Sequence, residues 1–205
     1  MTRPGAGPDN ISTNKVVMQY SFNGTNWNII STQEDRVEID ITNKQRVYFK
    51  NLGTSLQYKY YDSNYNSDVW GFKGFYFYSD NSDNTFKVGG PLSSLAVMGD
   101  YSYSNLFSRD RKLTDASELI LPEDTAEGCY EQMFQECISL VNAPALPATT
   151  LANKCYSSMF YGCTNLVNAP ELPATTLAED CYNAMFYGCT SLVNIPSILP
   201  VTTLA

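Results

Sequence analysis

Cys129, Cys137, Cys155, Cys163, Cys181 and Cys189 are the residues of this chain most able to do chemistry, and they are regularly placed. Two cysteines stand eight residues apart, and the pair returns at one constant period. Thiols can pair as disulfides, ligate a metal or attack as nucleophiles. The chain has no histidine, which removes the Cys-His and Ser-His-Asp mechanisms and the usual partner of cysteine in zinc sites. Eight residues along a helix cover roughly 12 Å, whereas a disulfide needs Cα atoms within roughly 7 Å. Equivalent cysteines of neighbouring copies come closer, so a bridge or a metal site between copies stays open. The expected role is nevertheless that of buried, reduced thiols acting as small apolar spacers of a core. No cofactor or metal is assigned.

Carboxylates are the other candidates for chemistry, but no acidic pair stands out for acid/base work, and no enzyme is expected. "DSNYNSD" sets Asp62, Asn64, Asn66 and Asp68 at alternate positions, like the start of a calcium loop. Its sixth position is Ser67 and its twelfth Lys73, where that loop requires glycine and glutamate. A polar turn is the expectation. Asn10-Ile11-Ser12 and Asn23-Gly24-Thr25 match the N-glycosylation pattern, which matters only in a eukaryotic secretory context. Between residues 58 and 78 stand ten aromatics, among them Tyr58, Tyr60, Tyr65 and Trp70. Flat aromatic faces on a sheet can stack on sugar rings, and this is the basis for an alternative reading as a carbohydrate-binding accessory module. Aromatics also favour strands for packing alone.

The net charge is −8, and residues 102–205 carry four Lys/Arg against eleven Asp/Glu. Such a surface repels phosphate, so nucleic acid and anionic membranes are not expected partners. No apolar run approaches the 18 or so residues of a membrane span. The opening "MTRPGAGPDNISTNK" has no apolar stretch after its arginine and does not read as an export signal.

Two kinds of element must position these groups. Residues 1–13 read as a flexible lead-in, and residues 14–101 as an antiparallel β-sandwich-like domain. Runs such as "KVVMQYSF", "RVEIDI", "QRVYFKN" and "LQYKYYD" alternate apolar and polar residues between Asn, Gly, Asp and Ser turns. Residues 102–205 repeat a frame C-Y-x-x-M-F-x-x-C-x-x-L-V-N, with a degenerate copy at 102–128 and fuller copies at 129–154, 155–180 and 181–205. A period of 26 lies in the range of leucine-rich repeats, so the second half is expected to be an α/β leucine-rich-repeat solenoid. The chain as a whole would be multidomain.

Within a copy, "AEDCYNAMFYGC" predicts a short helix with Cys181, Met185 and Cys189 on one stripe. "LVNAP" predicts a short strand that stacks Leu140, Leu166 and Leu192 inside. Outside it, Val141, Asn142, Val167, Asn168, Val193 and Asn194, with Glu171 close by, form a candidate binding strip. An asparagine ladder can equally serve to pair backbone groups between copies.

The frame "CYSSMFYGCTNLVNAPELPATTLA" closely resembles the BspA-like leucine-rich repeats of surface proteins from Bacteroides and related anaerobes. The resemblance covers residues 102–205 and is strongest from 129 on. More weakly, the aromatic segment ending in "FKVGGPLSSLAVMGD" is similar to the region that precedes such repeats. The resemblance implies a non-catalytic, cell-surface or extracellular protein that binds a protein or glycan, with adhesion the implied role. It brings no residue-level binding motif. The absent signal and the stop at "TTLA" fit a longer natural chain or a structural component of a larger assembly, such as a virion or fibre. Further repeats or another chain would then cover the C-terminal end.

Overall fold

Short runs rich in β-branched and aromatic residues, broken by Asn, Gly and Ser, form the antiparallel strands of the first part. In the computed structural model, residues 17–31, 39, 46–51, 58–62, 67–71, 85–94, 98–196 and 202–204 are described. Strand β1 (Val17–Ser21) lies between β2 (Asn28–Ser31) and β3 (Tyr48–Asn51), antiparallel to both. Ser21 and Asn23 hold the β1–β2 turn. The Ser21 Oγ accepts the Gly24 N–H at 2.9 Å, and the Asn23 Oδ1 accepts the N–H groups of Thr25 and Asn26 at 3.0 and 2.9 Å. This is the local pairing that makes Asn and Ser turn residues. Strands β4 (Tyr58–Asp62) and β5 (Ser67–Gly71) form a hairpin that pairs Asp62 with Ser67. Of "DSNYNSD", expected as a polar turn, Asp62 ends β4 and Ser67 and Asp68 begin β5, while residues 63–66 lie outside the described residues.

Strand β6 (Phe86–Pro91) leads into a single 3-10 turn, Leu92–Ser94, and pairs in parallel with β7 (Leu113–Ile120). Parallel strands require a crossover, and here the first copy of the repeat supplies it.

The expected α/β leucine-rich-repeat solenoid, and with it the multidomain fold class, is corrected by this structure. Among the described residues there is no α-helix, and the fold consists of strands and turns. The segment predicted as a helix is a string of tight turns. Every fourth residue has positive φ, between 51° and 77°, at Tyr101, Asn105 and Arg109, then Gly128, Gln132 and Glu136, then Lys154, Ser158 and Gly162, then Asp180, Ala184 and Gly188. An α-helix cannot contain such residues, since each must hold φ near −60°.

Hydrogen bonding explains why the turns replace the helix. In the third copy, the N–H groups of Ser157, Met159, Tyr161 and Cys163 reach carbonyls three residues back, at 3.0 to 3.2 Å. The alternate N–H groups, of Lys154, Tyr156, Ser158, Phe160 and Gly162, leave the turn and donate to Glu179, Cys181, Asn183, Met185 and Tyr187 at 2.8 to 3.1 Å. Helices pack roughly 8–10 Å apart, too far for backbone bonds between copies, whereas hydrogen-bonded chains lie about 4.8 Å apart. At the shorter spacing equivalent rings stack. Tyr103, Tyr130, Tyr156 and Tyr182 follow one another at 5.4 to 6.0 Å, and Phe107, Phe134, Phe160 and Phe186 at 5.4 to 5.7 Å.

The division into separate domains fails for a second reason. Ile30 and Leu92, with Tyr20, Ile39, Phe49 and Phe86 packed beside them, belong to the same core as the rings and thiols of the copies. The β6–β7 pairing also ties residues before 101 to residues after it. The lead-in at residues 1–13 lies outside the described residues.

Candidate functional site

The sequence "LVN" is short and extended, so successive side chains alternate between its two faces. Leu140 and Leu166 point into the core and are fully buried, while Val141 and Val193 are exposed, at 38% and 76%. Asn142, Asn168 and Asn194 are exposed, and Val167 is half-exposed. Parallel bridges join Asp115 to Asn142, Asn142 to Asn168 and Asn168 to Asn194, so the three Val–Asn pairs stand in register. Backbone bonds fix the spacing: Val141 N–H to Thr114 O and Ala169 N–H to Asn194 O at 2.9 Å, and Val193 N–H to Val167 O at 3.0 Å.

The side chains of Asp115, Asn142, Asn168 and Asn194 pair two by two. The Asn142 amide donates to Asp115 Oδ2 at 3.2 Å, and the Asn194 amide to Asn168 Oδ1 at 2.6 Å. Among the described residues no side-chain bond joins Asn142 to Asn168, so the middle of the row keeps amide groups for another molecule. Asp115 anchors the first end. Its carboxylate accepts the Ser117 hydroxyl and N–H at 2.6 and 2.9 Å and meets Lys87 Nζ at 3.2 Å. These partners, led by Ser117, hold its carboxyl well below the usual range, because each favours the charged form.

Beside the row, Ala143–Leu146 of one copy and Pro170, Glu171 and Pro173 of the next line an open groove of about 280 Å³. Glu171, singled out in the sequence, stands exposed at this groove. A shallow apolar groove with one carboxylate can take an extended chain or a small apolar group, but it brings no acid/base pair together.

The thiols belong to the core and not to this site. All six are free and buried. Cys137, Cys163 and Cys189 donate to the carbonyls of Phe107, Phe134 and Phe160 at 2.9 to 3.1 Å. Burial pushes the Cys129 thiol up to about 12 and raises those of Cys137, Cys155 and Cys163 further. A thiol without thiolate is a poor nucleophile.

Of the aromatic candidates, Tyr58 and Tyr60 lie in β4 and Trp70 in β5, with Trp70 paired to Lys59 and Tyr60 to Val69. Tyr65 lies outside the described residues, as do positions 72–78. The structure thus places Tyr58, Tyr60 and Trp70 on the hairpin and not on the Val–Asn row. Sequence reasoning missed two exposed apolar residues of the fourth copy, Ile195 at 70%, next to Asn194, and Tyr187 at 67%, in the turn segment. Tyr187 stacks on Tyr161 at 5.1 Å. The signal for Tyr187 is its equivalence to Tyr161 one period earlier, at a position the repeat frame leaves unassigned. No family model, no curated protein and no solved structure matches the chain.

Proposed function

We propose that the protein is a non-catalytic binding protein that works at a cell surface or outside the cell, adhering to a protein ligand through its Val–Asn row. The observation that carries this reading is the register of the row. Three Val–Asn pairs, exposed except for the half-exposed Val167, repeat on bridged backbone, backed by the buried Leu140 and Leu166 and the partly buried Leu192. Such a surface is pre-organised, so a ligand loses little of its binding energy to ordering it. Apolar valines supply burial, and the Asn142 Oδ1 and Asn168 Nδ2, which take no part in the bonds to Asp115 and Asn194, supply direction. The BspA-like frame of the copies supports both the surface location and the adhesive role. Thiols that are buried and held protonated also suit an exterior in which reactive cysteines would be oxidised.

The test is an immobilised array of matrix proteins, mucins and polysaccharides probed with the full chain, and with a Val167→Asp, Asn168→Ala, Val193→Asp variant. Saturable protein binding should fall by about tenfold or more in the variant, as expected when a central contact is removed, with the unfolding midpoint little changed. Binding that is equal in both proteins, or confined to polysaccharides, overturns the assignment and favours the hairpin bearing Tyr58, Tyr60 and Trp70.

A further inference from the structure

Each copy donates hydrogen bonds to the copy that follows it, which leaves a distinct edge on the last one. Lys154, Tyr156, Ser158, Phe160 and Gly162 give their N–H groups to the fourth copy. Their equivalents one period on are Asp180, Tyr182, Ala184, Phe186 and Gly188. Among the described residues, none of these five N–H groups meets an acceptor. They stand in one row, and Asp180, Ala184 and Gly188 are exposed.

The rings give an independent sign of the same edge. Tyr182, Phe186 and Tyr187 stack on Tyr156, Phe160 and Tyr161 at 6.0, 5.7 and 5.1 Å. In the second and third copies a further ring covers the other face of the equivalent Tyr and Phe. Here Tyr187 is 67% exposed, and Tyr182 and Phe186 are only partly buried. Next to this face a new rung has begun. Strand β8 (Thr176–Leu177) pairs in parallel with β9 (Thr203–Leu204), and the Thr202 N–H donates to Thr175 O at 2.8 Å.

We propose that this edge is a docking site for a polypeptide segment carrying the chain's own frame, C-Y-x-x-M-F-x-x-C. Its alternate carbonyls accept the five N–H groups, and its Tyr and Phe stack on Tyr182 and Phe186. A second folded copy of the chain does not supply this chemistry. Its own equivalent edge presents donors, so two such edges meet N–H against N–H. Its first copy is already covered, with Tyr103, Leu106 and Phe107 buried and the Tyr103 hydroxyl bonded to Leu92 O at 3.2 Å. An edge of unpaired backbone groups selects a strand-like partner through main-chain bonds, and the ring positions select its side chains.

The experiment is amide hydrogen exchange of the full chain, kept reduced, with a synthetic peptide that repeats residues 179–194. A control peptide carries Tyr182→Ser and Phe186→Ser. A second arm joins each peptide after Ala205, where a tether raises its effective concentration to about the millimolar range. The amides of 180, 182, 184, 186 and 188 should slow by about tenfold or more with the native peptide. Those of 181, 183, 185, 187 and 189, already bonded within their turns, should change little. Absence of slowing in the tethered arm overturns the proposal, as does equal slowing by the serine control. Slowing of the same five amides when the chain alone is concentrated, with a doubled mass in sedimentation, overturns it in favour of a second copy.

Discussion

The antiparallel strands before residue 72 and the stacked copies after residue 97 satisfy the same backbone requirement over different distances. In the first region, β1 bonds β2 through a turn held by Ser21 and Asn23, and β4 bonds β5 across the short connection between Asp62 and Ser67. In the second, half of the N–H groups of each of the first three turn segments go to the following copy, about one period away in sequence. Burial follows the difference. Among the first-region residues whose side chains are described, Ile30 is the one apolar group almost wholly removed from water, whereas the copies bury tyrosines, phenylalanines, methionines and thiols completely. The core is thus organised by the repeated part, and the strands lean on it.

The severest disruption of this contrast should come from Phe134, fully buried between Phe107 and Phe160. Phe134→Ala should cost about 4 kcal/mol, read from denaturant unfolding. Ile29→Ala, at a side chain 65% exposed in β2, should change stability by less than about 0.5 kcal/mol. Comparable costs at both sites would mean that the strand region contributes to the core as much as the copies do.

A pair of glycines extends the comparison to the backbone, one in the copies and one in the parallel strand β6 that adjoins them. At Gly128, with φ 56°, a Cβ would run into the Tyr101 ring, whereas at Gly90, with φ 90°, nothing lies within 4 Å. Gly128→Ala adds a clash to the strain and should cost about 3 kcal/mol, against about 1 kcal/mol for Gly90→Ala. Thermal unfolding of both variants decides it.

Buried thiols make the copies sensitive to alkali. Burial favours the neutral thiol, so the folded pKa of Cys129 lies above its ordinary value of 9.0, at about 12. The stabilisation is therefore fully present below pH 9 and is lost as the pH rises towards 12. Each such thiol should lower stability by about 1.4 kcal/mol per pH unit within that window. A Cys129→Ala variant should show a shallower decline in urea titrations at pH 8, 9 and 10; an unchanged slope would show that the thiol ionises in place.

The smallest effect concerns two members of one ring column. The Tyr103 hydroxyl bonds Leu92 O, whereas the buried Tyr156 hydroxyl has no partner among the described residues. Tyr103→Phe should lose about 1 kcal/mol and Tyr156→Phe should gain about 1 kcal/mol. Equal losses at both positions would reveal a partner for Tyr156.

Much of the candidate site is legible in the sequence. The constant period sets Val141, Val167 and Val193 in one row, and the alternation of "LVN" puts the leucines inside and the valines outside. The expectation of a helix fails because i, i+4, i+8 spacing suits two structures. It makes a stripe on a helix of 3.6 residues per turn, and it also makes a column in turns of four residues. Asn105, Gly162, Asp180 and Gly188 are a partial clue, since Asn, Asp and Gly tolerate positive φ. Tyr101, Gln132, Lys154 and Ala184 adopt it as well, and no local preference announces that.

The repeat, its period and the burial of its thiols and of Leu140 and Leu166 follow from the chain alone, because periodicity and hydrophobicity are written in the order of its residues. The choice between helix and stacked turns belongs to the packed molecule. A single copy would bond its N–H groups internally, and the turn becomes favourable when a neighbouring copy lies close enough to accept half of them and to cover its rings.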